Sequence, residues 1–253
     1  MTDPSDGVRG YMPIRSHRKA AGCRTSRVTF DPVAKRKGRN VDPVVLHPVA
    51  CLFVRADSVY KTLPGCDCYD AERDALTFAG GMPVVAHPPC RAWGRLRHFA
   101  RLAPGERELA PWAVGQVRQW GGVLEHPAAS LLWPEVGLPR PGERDDHGGW
   151  CMSVLQWWWG HRAGKPTLLY VCGCEPGDVP PIPFRLGEPS HVIQSRKRTD
   201  YRPHVSKAER EHTPPELARW LVTVARACCM ENADLERSAR SDDTLQDFVG
   251  GQT

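Results

Sequence analysis

No uninterrupted apolar run of roughly 18 residues occurs in the 253-residue chain, so no membrane-spanning helix is expected. The first residues are polar and lack the apolar core of a signal peptide, which points to a cytoplasmic protein. In that compartment the ten cysteines read as free thiols rather than a disulfide framework. No repeat at a solenoid period is visible. The two signs of charge are nearly balanced, 34 Lys or Arg against 29 Asp or Glu, and the net of +5 does not by itself predict a nucleic-acid partner.

What the chain does have is a globular composition, 41% hydrophobic with nine Trp, and two strands closed by proline. In Pro83-Val84-Val85-Ala86-His87-Pro88-Pro89-Cys90, three apolar residues follow Gly80-Gly81 and run into two prolines. Valine favours the pleated backbone, and proline cannot donate to a ladder, so a buried strand must stop at His87. Cys90 is left on a stiff loop at the carboxyl end, the edge where ligands collect in open α/β sheets. Leu109, Trp112, Ala113, Val117 and Trp120 then mark one buried face of a helix that Gly121-Gly122 ends. Val123-Leu124-Glu125-His126-Pro127 is a second proline-closed strand. A right-handed strand–helix–strand crossover places Cys90 and Glu125 on the same sheet edge. Alone, either residue reads as a core cysteine or a structural carboxylate; together they read as a nucleophile and an acid.

Pro88-Pro89-Cys90, followed one helix later by Leu124-Glu125, resembles the catalytic pair of the cytosine-5 DNA methyltransferases, and a group of short phage- and prophage-borne proteins sharing it. Gly160 to Gly173 is similar to that family's Gly-x-Pro-Gln-x-Arg-x-Arg turn and strand, with Lys165 and Thr167 at the two Arg positions. Arg210 to Leu221 is similar to its Arg-x-x-Thr-x-x-Glu-x-x-Arg helix start. The resemblance implies a Rossmann-like fold, DNA as partner and S-adenosylmethionine as methyl donor. It also implies Cys90 adding to carbon 6 of a pyrimidine, Glu125 holding the base edge, and Lys165 as a charge contact. The departures are specific. Arg91 replaces the Gln after the nucleophile, His126-Pro127 replaces Asn-Val, Arg162-Ala163 replaces Pro-Gln, and no glycine-rich Phe-x-Gly-x-Gly segment precedes the first helix. A different one-carbon donor is therefore the close alternative, and a non-catalytic DNA-binding shell the alternative of another class.

The expected architecture is one α/β domain from Pro43 to Cys229, with a mostly parallel Rossmann-like sheet carrying helices on both faces. Val49 to Val54 and Cys66 to Asp70 read as its first two strands, and Ala71 to Phe78 as a helix. Asp57 and Ser58 after the first strand are candidate cofactor contacts. So is Asp70, which is equally placed to accept ribose hydroxyls or to cap a helix. Thr213-Pro214-Pro215-Glu216 reads as a capping box opening a helix over Leu217 to Cys228. Arg91, Trp93, Arg95, His126, Arg162, Arg196 and Arg198 are candidate substrate contacts, the cations for phosphate and Trp93 for stacking. Residues 1–42 hold ten Lys or Arg against four Asp and read as a disordered basic arm, and residues 230–253 as a flexible acidic tail. The pairs Cys66/Cys68 and Cys172/Cys174 have the makings of a zinc site, giving a zinc-stabilised interaction module as a third reading, but buried thiols are the expectation and no metal is assigned.

Overall fold

The computed structural model describes residues 46–193 and 199–229. The two expected tails, and Arg196 and Arg198, lie outside them. The β-rich stretches form β1 (Val49–Leu52), β2 (Cys66–Tyr69), β3 (Val84–Ala86), β4 (Gly122–Pro127), β5 (Trp150–Leu155) and β6 (Pro166–Cys172). Among the described residues they make one six-stranded sheet in the order β2-β1-β3-β4-β6-β5. β1 is parallel to β2 and β3, and β3 to β4, whereas β6 is antiparallel to both β4 and β5. The sheet is thus mixed rather than all parallel. β5 and β6 are joined by a short return, and parallel strands need a crossover of about a dozen residues or more.

Helices cover both faces. Alternation along the strands sends Leu52, Val84, Ala86 and Leu124 against Ala113, Val114 and Val117 of α1 (Leu109–Trp120). Cys51, Val85, Val123, Leu169 and Val171 face Leu217, Leu221 and Val224 of α4 (Pro215–Ala227). Two short helices, α2 (Leu132–Glu135) and α3 (Lys207–Glu211), lie in the connections. No helix among the described residues is long and apolar enough to cross a membrane.

Three local expectations are corrected. The helix over Ala71 to Phe78 is only a 3-10 turn, Ala75–Thr77. The Asp70 carboxylate takes the N–H groups of Glu72 and Arg73 at 2.9 and 3.0 Å, and that of Asp74 takes Leu76 N–H at 3.0 Å, so the segment is spent in side-chain-capped turns. β1 stops at Leu52 because Phe53 adopts a left-handed backbone, φ 60°. The Thr213 capping box does not form, since the N-cap of α4 is Pro214. A Thr213 cap would require Pro214 to be helical, and the following Pro215 pushes it extended.

Candidate active site

β3 and β4 are neighbours in register, Ala86 opposite Leu124. The next residues, His87 and Glu125, therefore stand side by side on the α4 face, each continuing the row begun by Val85 and Val123. His87 Nδ1 lies 3.1 Å from Glu125 Oε2, and both side chains are nearly enclosed. His87 Nε2 is 2.8 Å from the hydroxyl of Tyr60, which comes from the 3-10 turn Val59–Thr62 after β1. Burial keeps the Tyr60 phenol protonated, its pKa well above the usual value. A carboxylate only accepts, so Nδ1–H of His87 donates to Glu125, and with the neutral ring the Tyr60 O–H donates to Nε2.

The other carboxylate oxygen is held as firmly. Gln156, in the 3-10 turn after β5, donates from Nε2 to Glu125 Oε1 at 2.8 Å and to Thr167 Oγ1 at 3.1 Å. Thr167 Oγ1 donates in turn to Lys165 O at 3.1 Å, so it must accept from Gln156, which fixes the amide orientation. Burial on its own would raise the Glu125 pKa. The His87 hydrogen bond leads the effects that outweigh it, joined by the charge of Lys165, and the carboxyl stays ionised, down at about 2.

Lys165 has φ 44°, and it and Phe53 are the non-glycine residues with positive φ among the described residues. A left-handed backbone costs a lysine about 1–2 kcal/mol. Here it turns the chain from the Gly160 loop into β6 and places the ammonium, half-buried, where one hydrogen goes to His212 O at 3.2 Å. Burial lowers the Lys165 pKa while Glu125 and Cys90 pull it back up. Cys90 itself follows the two prolines, and its carbonyl accepts Trp93 N–H at 3.0 Å. The residue stands at the surface, yet the protein around its sulfur is dense enough to disfavour the thiolate. Burial and then Glu125 raise its pKa; Lys165 lowers it. The sulfur, the carboxylate and the ammonium thus share one electrostatic site.

No protein-family model matches this chain, and no curated protein or solved structure does.

The remaining sequence candidates are placed as follows. Arg91 does not supply the cation beside the thiol; it forms a two-pronged ion pair with the buried Glu106, which also accepts Ala103 N–H, and so braces the loop that carries Cys90. Trp93 is buried, with the Arg107 guanidinium 4.2 Å over its ring, so no face is open for a base. Arg95 is exposed on the same loop. His126 points to the opposite face of β4 from Glu125 and is buried against Trp133. Arg162 is exposed but paired with Glu209 at 2.9 Å. Asp57 and Ser58 follow β1 and Asp70 follows β2, all at the expected edge. Each is engaged, Asp57 with Arg55 and His212, Ser58 capping Tyr60 N–H, and Asp70 with Lys61 and two backbone N–H groups.

The four paired cysteines do not come together. Cys66 and Cys68 lie against Cys51 at the β2 edge, while Cys174 Sγ is 2.9 Å from Cys228 Sγ beyond β6. β2 and β6 are four strand spacings apart in the sheet, roughly 19 Å at about 4.8 Å each. Among the described residues no group of three or more His, Cys, Asp or Glu could hold a metal.

His87, Tyr60 and Gln156 are site residues that the sequence did not disclose as such. For His87 a signal existed: the two-residue period places it on the face of Val85, as Glu125 shares that of Val123. Tyr60 and Gln156 reach the site from turns distant in sequence, and no spacing announces them.

Proposed function

We propose that this chain modifies a pyrimidine base in DNA through a covalent adduct, in the manner of the cytosine-5 DNA methyltransferases it resembles. The observation that carries the reading is the delivery of Cys90 and Glu125 by adjacent parallel strands to one site, with the Lys165 charge acting on both. Sheet order supports it. The chain passes from β1 to β2 on one side and returns to β3 on the other, a reversal of strand order of the kind where ligands meet the carboxyl ends of α/β sheets.

Carbon 5 of a pyrimidine is a weak nucleophile until something adds to carbon 6. Cys90 gives its proton to solvent and forms the S–C6 bond; the C5=C6 π pair shifts to carbon 5 and by conjugation onto oxygen 4 or nitrogen 3, so carbon 5 becomes electron-rich, and once carbon 5 has reacted, loss of its hydrogen to solvent expels the thiolate. Glu125 contacts the ring edge and Lys165 offers positive charge to the oxygen or nitrogen on which the electrons settle. The base cannot be reached in a stacked duplex, so it enters flipped out or single-stranded.

S-adenosylmethionine does not fit the residues present. The turn after β1 has no glycine, Phe53 fills it against Trp112 with ring centres 5.9 Å apart, and the Asp70 carboxylate is already occupied by Lys61 and backbone N–H groups. A one-carbon donor of another kind therefore takes the place, in this proposal, of the methyl donor implied by the resemblance. A DNA-binding shell without chemistry is the second reading, favoured by the same closed turn.

Nucleoside mass spectrometry on DNA from cells expressing the wild type or Cys90→Ser tests this. A modified pyrimidine that vanishes in Cys90→Ser is expected. A wild type that binds DNA as Cys90→Ser does, with no modified base, would establish the shell instead.

A further inference from the structure

We infer that the base this site accepts presents a hydrogen at ring nitrogen 3, the edge of uracil, rather than the bare nitrogen of cytosine. The inference rests on the reading of Cys90 and Glu125 as the covalent pair, and it follows from which groups can donate. Glu125 receives Nδ1–H of His87 on one oxygen and Nε2–H of Gln156 on the other, at 3.1 and 2.8 Å. Both donors are fixed from behind, His87 by Tyr60 O–H and Gln156 by Thr167, whose own hydrogen goes to Lys165 O. A carboxylate pinned in this way is an acceptor only. Its remaining lone pairs match an N–H, and they meet the lone pair of cytosine nitrogen 3 with repulsion.

Lys165 completes the pattern. Its ammonium has three hydrogens, of which one goes to His212 O. An acceptor under the charge of a cation complements the N3–H of uracil and one carbonyl oxygen next to it. Cytosine offers the carboxylate its amino hydrogen but turns a bare nitrogen 3 toward it, and needs an extra proton on the Glu125–nitrogen 3 contact before that contact fits. That proton must be taken from solvent against the two donors that stabilise the ionised carboxyl. When Cys90 adds to carbon 6 of uracil, the displaced pair settles on oxygen 4 as an enolate, which the ammonium stabilises, and Glu125 keeps its charge throughout.

The test needs no methyl or other carbon donor. Thiolate addition at carbon 6 followed by pickup of a deuteron at carbon 5, loss of the original hydrogen and expulsion of the thiolate exchanges the carbon-5 hydrogen and restores the base. The full chain is incubated in deuterated buffer with a random-sequence pool of single-stranded DNA containing both uracil and cytosine. Deuterium in each nucleoside is then read by mass spectrometry. At about pH 8, well above the titration of that extra proton, exchange on uracil is expected to be at least about tenfold faster than on cytosine, since each pH unit above the pKa is worth a factor of about ten, and to widen with pH. Glu125→Gln, which puts an amide donor on that edge, is expected to lower exchange on uracil more than on cytosine. Equal or faster exchange on cytosine in the wild type would overturn the inference while leaving the covalent pair intact. Absence of exchange on both bases, or exchange that persists in Cys90→Ser, would overturn the covalent pair and the inference with it.

Discussion

At the scale of single residues, the two faces of β4 treat consecutive side chains in opposite ways. Glu125 is buried among donors and kept charged. His126, one residue on, is buried beside Trp133 with neither ring nitrogen hydrogen-bonded among the described residues, and the Pro89 carbonyl lies close without an aligned bond. Burial pushes its pKa down to about 4 from 6.5, although the Glu125 charge opposes the shift. The unfolded chain therefore takes up this proton first as pH falls. The stability that neutral His126 contributes is fully present above pH 6.5 and is lost between 6.5 and about 4, on the order of 3 kcal/mol. His126→Phe removes the titration without breaking a hydrogen bond. Urea unfolding of the two proteins across that range should show the wild type losing stability from pH 6.5 downward and His126→Phe losing markedly less. Equal slopes would contradict this account of His126.

Among the elements, the crossover from β3 through α1 to β4 is the part that determines the site, and it was legible in the sequence. Its signals are local: valines bounded by glycine and proline, a helical stripe, and a glycine stop. Two features escaped. The direction of β6 is a tertiary choice, set by the short return from β5 rather than by anything in Pro166–Cys172 itself. The sequence after β2 reads as a helix over Ala71 to Phe78, but Asp70 and Asp74 capture the backbone N–H groups a helix would need. The same limit holds in the site, where Cys90 and Glu125 could be found because one crossover links them, and Tyr60 and Gln156 could not.

The glycine stop also makes a prediction. Gly121 has φ 75°, and a Cβ there would run into the carbonyl oxygen of Cys228 at the end of α4. Gly115, inside α1, has nothing within 4 Å of an added Cβ. Gly121→Ala should cost about 2 kcal/mol or more, from the left-handed backbone and the contact together. Gly115→Ala should instead stabilise by about 0.5–1 kcal/mol. Thermal melts of both variants check this, and a harmless Gly121→Ala would mean that α4 does not pack against the start of β4 as described.

At the scale of the whole molecule, the sheet is a platform covered by α1 and α4 whose carboxyl edge gathers groups from many parts of the chain. Tyr60 comes from the turn after β1, His87 and Cys90 from β3 and its loop, Glu125 from β4, Gln156 from the end of β5 and Lys165 from the start of β6. Around them, Arg55 bridges Asp57 and Glu211, and His212 contacts Asp57 at 3.0 Å, tying α3 and the chain after it to the turn after β1. The proposed covalent addition to a pyrimidine draws on this convergence of thiol, pinned carboxylate and ammonium, which depends on the fold rather than on any one motif.

The most direct test of that claim is intact-protein mass spectrometry after incubation with a single-stranded oligonucleotide carrying 5-trifluoromethyluracil in place of a pyrimidine. This base keeps the hydrogen at ring nitrogen 3, and a thiolate adding to its electron-poor carbon 6 drives fluoride off the carbon-5 substituent, which leaves the base joined to sulfur. The account predicts an adduct that survives denaturation, maps to Cys90 and is absent from Cys90→Ser. An adduct formed equally by Cys90→Ser, or none by the wild type, would contradict the assignment of Cys90 as the nucleophile.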